Sequence, residues 1–420
     1  MKLHRKLFWL LVFLLPVQLG RHFWPQSSLL LGLRIDYLSP TIFLTDILII
    51  FILFLWFLEK LKSFKKLYAI NLNSQNLPRL FLFLSVFVFL VLTSFLARNQ
   101  LTAFLKLSKI LEFGLLALYI FKNKISLKNI YLPLSLAVLY SSSIAIFQFI
   151  KQGSLNGFFW FLGERTFDIS TPGIAKAIIN GELILRPYAT FPHPNSLAGF
   201  LLVALILVVP FLKRFSRWLV LSLGLLTIIF TFSRSVWLVL LLLIFVLIAF
   251  IKNKKIKITL FVLNSLFIIA LFILGYKLST NEALWQRLQL MQSAILMGKL
   301  FPFSGVGLNN FIVYLPEFWP LVGFTYYFQP VHNIYLLFLA ELGFLGFILL
   351  LWFSFLVFKK VLKIPSLKER GILFLAFFSV LFLGFSDHYW FTLQQNQLLL
   401  ILLLGLIWSS KTGKSGLSLN

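Results

Sequence analysis

The apolar residues of this chain come in unbroken blocks of about 15 to 25, and that feature limits the fold more than any other. Blocks of this length suit a helix crossing a hydrocarbon core about 30 Å thick and are too long for ordinary core helices. They also lack the every-other-residue alternation of a membrane barrel, so the spans are expected to be helical, the remaining structure that satisfies its own backbone in lipid. The composition agrees: 60% of residues are hydrophobic, 12% are charged and the mean hydropathy is +0.96, which excludes a soluble chain. No cysteine is present, so disulfide frameworks, thiolate chemistry and cysteine-ligated metals are excluded.

Apolar runs place about twelve spans, near 7–20, 41–58, 79–97, 101–121, 130–150, 196–212, 217–232, 234–251, 257–275, 333–358, 371–387 and 393–409. Residues 2–6 carry Lys2, Arg5 and Lys6 ahead of a short apolar run, but no small-x-small cleavage site follows Leu19, so this run reads as an uncleaved first helix. The expected organisation is an N-terminal bundle of five spans over 1–150, an extracytoplasmic loop over 151–195 and four spans over 196–275. A large extracytoplasmic loop then covers 276–332, three further spans cover 333–409, and a cytoplasmic tail over 410–420 is expected to be disordered.

The net charge of +26 would suggest nucleic acid on a soluble protein, but its placement argues otherwise. With a cytoplasmic N-terminus, the inner segments hold 25 of the 38 Lys and Arg residues and the outer loops 11, although the outer loops are longer. That asymmetry places both termini in the cytoplasm and makes most of the charge an orientation signal. Arginine is unevenly shared: five of the 25 inner cations are Arg, against seven of the 11 outer ones (Arg21, Arg34, Arg98, Arg165, Arg186, Arg234 and Arg287). Topology needs any cation, whereas a planar fork of donors grips phosphate or carboxylate, so an anion site is expected on the outer face.

Loops as long as 151–195 and 276–332, rich in aromatic residues, are expected to carry function. The second opens with Ser279-Thr280-Asn281-Glu282, a capping-box spacing, and then sets Leu284, Leu288, Met291 and Ile295 on one stripe before Gly298. This predicts an amphipathic helix at the membrane interface carrying Arg287. Arg234 sits in a very short outer turn, Thr231-Phe232-Ser233-Arg234, and is therefore held close to the membrane surface. Two arginines at headgroup depth suit a lipid-linked diphosphate, whose charge they neutralise as it leaves; ordinary snorkelling is the bland alternative.

Of five histidines, His4 and His22 lie near the N-terminus, and His193, His332 and His388 fall at outer helix ends. His332-Asn333 precedes Gly343 and Gly346 by helical spacing that puts an imidazole and two glycines on one face, so His332 is expected to pack against a neighbouring helix. A first-turn position would keep its imidazole neutral, as a general base requires. Glu341 is expected to form a buried structural pair. Asp387-His388-Tyr389-Trp390 reads as an interfacial aromatic anchor, with an acid/base pair as the alternative.

Four elements together resemble the O-antigen ligase and O-antigen polymerase family: Arg186-Pro-Tyr-Ala-Thr-Phe-Pro-His193-Pro-Asn195, the Thr-Phe-Ser-Arg234 turn, Gly305-Val-Gly-Leu-Asn-Asn-Phe311, and His332-Asn333 with Gly343 and Gly346. The resemblance is strongest over 186–346. It implies an all-α, GT-C-like membrane glycosyltransferase that moves a glycan from undecaprenyl diphosphate to an acceptor hydroxyl on the extracytoplasmic face of the plasma membrane, with inversion and without a metal. It further implies that Arg234 and Arg287 meet the diphosphate, that His332 activates the acceptor, and that Arg186, His193, Asn195 and Asn333 bind substrate. No cofactor is expected. The expected partners are the lipid-linked donor, a glycan, lipid or protein acceptor, and the bilayer.

The residues themselves agree on metal independence, because no Asp-x-Asp is present and the outer acids Asp36, Glu164, Asp168, Glu182, Glu282, Glu317 and Asp387 are scattered. Two other classes compete. A flippase or transporter of lipid-linked sugars is expected to show repeats and midplane charges, and here no repeat appears and charge collects at one surface. A non-catalytic scaffold would bind the carrier without turning it over.

Overall fold

The computed structural model describes residues 2–63, 77–179, 181–278, 281–319 and 327–411. The elements run α1 (Leu3–Phe13), β1 (Gly20–His22), β2 (Leu29–Leu30), β3 (Leu33–Arg34), β4 (Thr41–Phe43), α2 (Leu44–Ser63), α3 (Leu77–Leu96), α4 (Gln100–Lys122) and α5 (Leu127–Lys151). There follow β5 (Lys176–Ile179), β6 (Glu182–Leu185), α6 (Pro194–Val208), α7 (Arg214–Phe230), α8 (Arg234–Ala249), α9 (Lys254–Leu278) and α10 (Asn281–Leu300). The chain ends with α11 (Phe311–Phe318), α12 (Ile334–Leu362), α13 (Leu367–Leu383), α14 (Tyr389–Thr392) and α15 (Gln394–Ser409). Helix dominates, and each of the apolar runs read from sequence holds one. Among the described residues, three helical segments are long and apolar enough to cross a membrane: Leu127–Lys151, Pro194–Phe211 and Ile334–Leu362. The first apolar run differs from expectation. Its helix stops at Phe13, and the chain turns through residues 14–16 into β1, which pairs antiparallel with β4.

Two compact units divide the chain. One comprises Met1–Leu11, Gly20–Lys122 and Gln286–Leu356, and the other Val12–Leu19, Asn123–Trp285 and Val357–Asn420.

In the second unit α6 is the central helix, touching α5, α7, α8, α13 and α15. Its sequence explains this position: apolar all round, it buries every residue from Pro194 to Leu205, small and large alike, as a helix surrounded by others must. Gly224 of α7 gives Leu205 of α6 room, since a methyl there would come within 2.9 Å of the leucine. α5 starts at a capping box in which Ser126 and Asn129 satisfy each other's orphan backbone donors.

The first unit is organised by a break in α12. Gly343 has φ 65° and ψ −166°, a region open in practice only to glycine. It lies about 14 Å along α12 from Ile334, at 1.5 Å per residue. In an unbroken helix the Phe344 N–H would bond to the Ala340 carbonyl. Instead it donates to the Pro302 carbonyl at 2.6 Å, the Ala340 carbonyl accepts from Val306 N–H at 2.8 Å, and the Glu341 carbonyl accepts from Gly307 N–H at 2.9 Å. The loop after α10 thus repairs the broken helix. Irregular backbone deep along an apolar helix is tolerated when protein groups satisfy it in this way.

This break corrects two expectations. His332 precedes α12 and is not in its first turn, because Asn333 is the cap: its Oδ1 accepts from the N–H groups of Tyr335 at 2.9 Å and Leu336 at 3.0 Å. Nor do His332, Gly343 and Gly346 form one helical face, since helical geometry does not run through Gly343. The glycine does allow a close backbone approach, but to the 302–307 loop and not to a helix. Glu341 is held as a structural group, as expected: its Oε2 accepts from Asn309 N–H at 2.9 Å, and Lys106 lies within electrostatic reach.

Ser279 and Thr280 of the expected capping box lie outside the described residues, as does the tail beyond 411. α10 runs on to Leu300, and Gly298 within it gives Leu339 of α12 space. We expect Gly343→Ala to destabilise the protein by about 1–3 kcal/mol from backbone strain alone, with a further cost because its methyl would sit 2.6 Å from the Pro302 oxygen. A fall in melting temperature of the purified full-length protein measures this; an unchanged melting temperature contradicts it.

Candidate active site

The site residues expected from sequence fall in both units. Arg186, His193, Asn195 and Arg234 belong to the second, and Arg287, His332 and Asn333 to the first.

In the second unit the Arg186–Asn195 motif and the Arg234 turn are tied together. Arg186 Nε donates to the Thr231 carbonyl at 2.6 Å and Arg186 Nη2 donates to Asn195 Oδ1 at 2.5 Å. Thr231 closes α7, Phe232 takes a left-handed φ of 49°, Ser233 precedes α8 and Arg234 is its first residue, exposed. Trp237, one turn later, donates its indole N–H back to the Ile228 carbonyl at 2.9 Å, clamping the start of α8 onto the end of α7. So short a connection fixes where the Arg234 side chain leaves the backbone.

His193 is the N-cap of α6. Its Nδ1 accepts from Asn195 N–H at 3.1 Å, a bond available only while that nitrogen carries no proton. Pro194 follows at the first helical position, where its missing N–H costs nothing.

Asn195 also reaches across the unit, donating its Nδ2 to Asp387 Oδ2 at 3.1 Å. Asp387 Oδ1 accepts from His388 N–H at 2.9 Å, and His388 Nδ1 lies 2.6 Å from Thr392 Oγ1. Asp387, His388, Tyr389 and Trp390 are 4%, 3%, 1% and 0% exposed. An interfacial anchor would show its rings to headgroups, so that reading is overturned: the four residues are a buried polar corner extending from Arg186 and Asn195. Gly199, one turn beyond Asn195, makes this possible because the Tyr389 hydroxyl occupies the space of its missing side chain. Sequence gave one available signal, an Asp-His pair at a helix end, but not that its partner lies 192 residues away.

In the first unit, α10 packs its Leu290, Ala294 and Met297 face into a core shared with Val331, Leu337 and Ala340. That core sets α10 beside the start of α12, and therefore beside the His332-Asn333 pair. The apolar stripe expected from sequence, Leu284, Leu288, Met291 and Ile295, is exposed, and so is Arg287 at the edge of the buried face. The Gly305–Phe311 motif is anchored by its asparagines. Asn309 Nδ2 donates to the Tyr37 carbonyl at 3.1 Å, and Asn310 Oδ1 accepts from Asn99 N–H at 2.8 Å while its Nδ2 donates to the Asn99 carbonyl at 3.2 Å. Arg98, next to Asn99, pairs with Glu317 of α11 and lies over the Tyr314 ring at 4.2 Å.

A family model described as O-antigen ligase matches residues 219–351. Over that segment, about a third of the 420 residues, the chain is similar to the O-antigen ligase family. The O-antigen ligase segment includes Arg234, Arg287, His332, Asn333 and the Gly343 break, and stops short of Arg186, Asn195 and Asp387. That match and the apolar helices support, in general terms, a membrane enzyme of the O-antigen ligase type. No curated protein matches the sequence.

Asn195→Ala removes the link between Arg186 and Asp387 and leaves a buried carboxylate one partner short. We expect a loss of about 1–3 kcal/mol, read as a lower melting temperature, with Asn195→Gln recovering little because its amide is one methylene too long. Equal stability of Asn195→Ala and the parent protein would contradict the linkage.

Proposed function

We propose that this protein transfers a glycan from an undecaprenyl-diphosphate carrier to an acceptor hydroxyl on the extracytoplasmic face of the plasma membrane. Twelve spans in a GT-C-like arrangement with both termini in the cytoplasm set that face. The observation that carries the reading is the O-antigen ligase segment, which contains Arg234, Arg287 and His332 together. It is supported by the outer bias of arginine in the sequence and by the exposure of both Arg234 and Arg287, since a guanidinium at the surface can grip phosphate.

His332 accepts the proton of the acceptor hydroxyl. The oxygen attacks the anomeric carbon on the face opposite the diphosphate, the new glycosidic bond forms as the bond to the diphosphate oxygen breaks, and the configuration inverts. Arg234 and Arg287 meet the charge that develops on the departing undecaprenyl diphosphate, a role that falls to arginine in a sequence without an Asp-x-Asp metal motif. Arg186, His193, Asn195 and Asn333 bind or position substrate. For Arg186 and Asn195 that role is positioning, since their side chains bond to the Arg234 turn and to Asp387.

The test is turnover of a synthetic undecaprenyl-diphosphate oligosaccharide by the purified protein, scored as released lipid diphosphate. Arg234→Ala, Arg287→Ala and His332→Ala are each expected to lower the rate by about 100-fold or more while the protein stays folded and membrane-inserted. Near-normal transfer by His332→Ala removes it as the base. Chain lengthening without added acceptor marks a polymerase; strict dependence on a lipid or protein acceptor marks a ligase.

A further inference from the structure

After α5 the chain forms a short 3-10 turn, Gly157–Leu162, whose sequence Gly-Phe-Phe-Trp-Phe-Leu holds no charged residue. Phe158, Trp160 and Phe161 are 71%, 57% and 59% exposed. Their rings touch one another, with centroids 6.4 Å apart for Phe158 and Phe161 and 5.2 Å for Trp160 and Phe161, so they make one continuous aromatic surface.

The turn is rigidly mounted. Glu164, 3% exposed, accepts from Gln148 Nε2 and Leu155 N–H, each at 2.7 Å, and from Asn156 N–H at 2.8 Å, which locks the base of the turn to the last turns of α5. Glu164 N–H closes it by donating to the Phe159 carbonyl at 3.1 Å. On the other side, Gln18 N–H donates to the Leu162 carbonyl at 3.2 Å. A buried carboxylate with three donors is a strong fixture, and its position under exposed rings means that the rings are held out and not left over.

We propose that this turn seats in the headgroup and upper acyl region of the bilayer, as a fixed anchor that sets the depth of the 151–195 segment. The proposal rests on the reading of α5 as a membrane span. Three observations select lipid as the occupant. The turn follows closely on the end of α5, where Phe147 and Ile150 are 58% and 71% exposed. Its mounting to Gln148 prevents it from swinging away from that helix end. Exposed Lys151 and Arg165 flank it in sequence, each also bonded to a nearby carbonyl, Ser154 and Pro192, and place positive charge beside it that suits anionic headgroups, while Trp and Phe are suited to the interface itself. The anchor would hold the Arg186–Asn195 motif, which closes the same segment, at headgroup depth.

The absence of cysteine makes the test direct. Nitroxide labels are placed on Phe158→Cys, Phe161→Cys, Phe147→Cys and Ser170→Cys in the full-length protein, reconstituted in bilayers containing phosphatidylglycerol, and collision rates with oxygen and with a water-soluble nickel chelate are compared. Labels at 158 and 161 are expected to favour oxygen several-fold over the label at exposed Ser170. If the label at 147 reports lipid while 158 and 161 report water, the anchor is overturned and the span survives; if 147 also reports water, both fall. If 158 and 161 are shielded only after an acceptor glycan is added, the turn is a sugar-stacking platform and the lipid assignment is wrong.

Discussion

The first unit depends on an exchange of backbone hydrogen bonds at a broken helix. Where α12 stops being helical at Gly343, two carbonyls and one N–H lose their intrahelical partners, and the loop from Pro302 to Gly307 supplies replacements for all three. An unsatisfied peptide group away from water costs several kcal/mol, so break and loop require each other. Gly305 answers Gly343: a side chain on it would overlap the Glu341 backbone, and its φ of 63° is left-handed. The docked loop then carries Asn309 and Asn310 to Tyr37 and Asn99, which joins the segment before α2 and the turn between α3 and α4 to α12. His332 stands at the near end of this assembly, just before the helix that Asn333 caps.

The second unit is built around polar groups buried in an apolar bundle. α6 is surrounded by helices, yet its first turn contains His193, Asn195 and Ser196, all directed to defined partners. Ser196 Oγ donates to Asn396 Oδ1 at 2.5 Å, and Asn396 Nδ2 returns a bond to the Ser196 carbonyl at 3.0 Å. Such networks are costly when incomplete and rigid when satisfied. Rigidity here extends to Arg186, Thr231 and the turn that ends in exposed Arg234, so that arginine is the last member of a chain of fixed groups.

The sequence was a reliable guide to periodic features and a poor one to the features between them. Helices lie where the apolar runs are, because in lipid each run must satisfy its own backbone and needs no distant residue to do so. The Arg234 turn, the Gly305–Phe311 segment and the His332-Asn333 pair were visible as motifs, and the family match covers all three. The face assigned to His332, Gly343 and Gly346 was wrong, since helical geometry was extended through a residue whose dihedrals end it. Asp387 and His388 were misread because an Asp-His-Tyr-Trp string has the composition of an interfacial anchor, and only burial separates the two.

What the sequence determined by itself was therefore the class of structure, the positions of its helices and a segment similar to the O-antigen ligase family. Each follows from local length, composition and spacing. The tertiary structure alone decided that α12 is broken and mended by a loop, that Arg186 braces the Arg234 turn, that Asn195 meets Asp387, and that a buried Glu164 carries an aromatic turn. These are contacts between residues far apart in the chain, made by backbone carbonyls, amides and single side chains. Every residue has a backbone carbonyl and amide, so their pairing leaves no compositional trace and is fixed only when the helices pack.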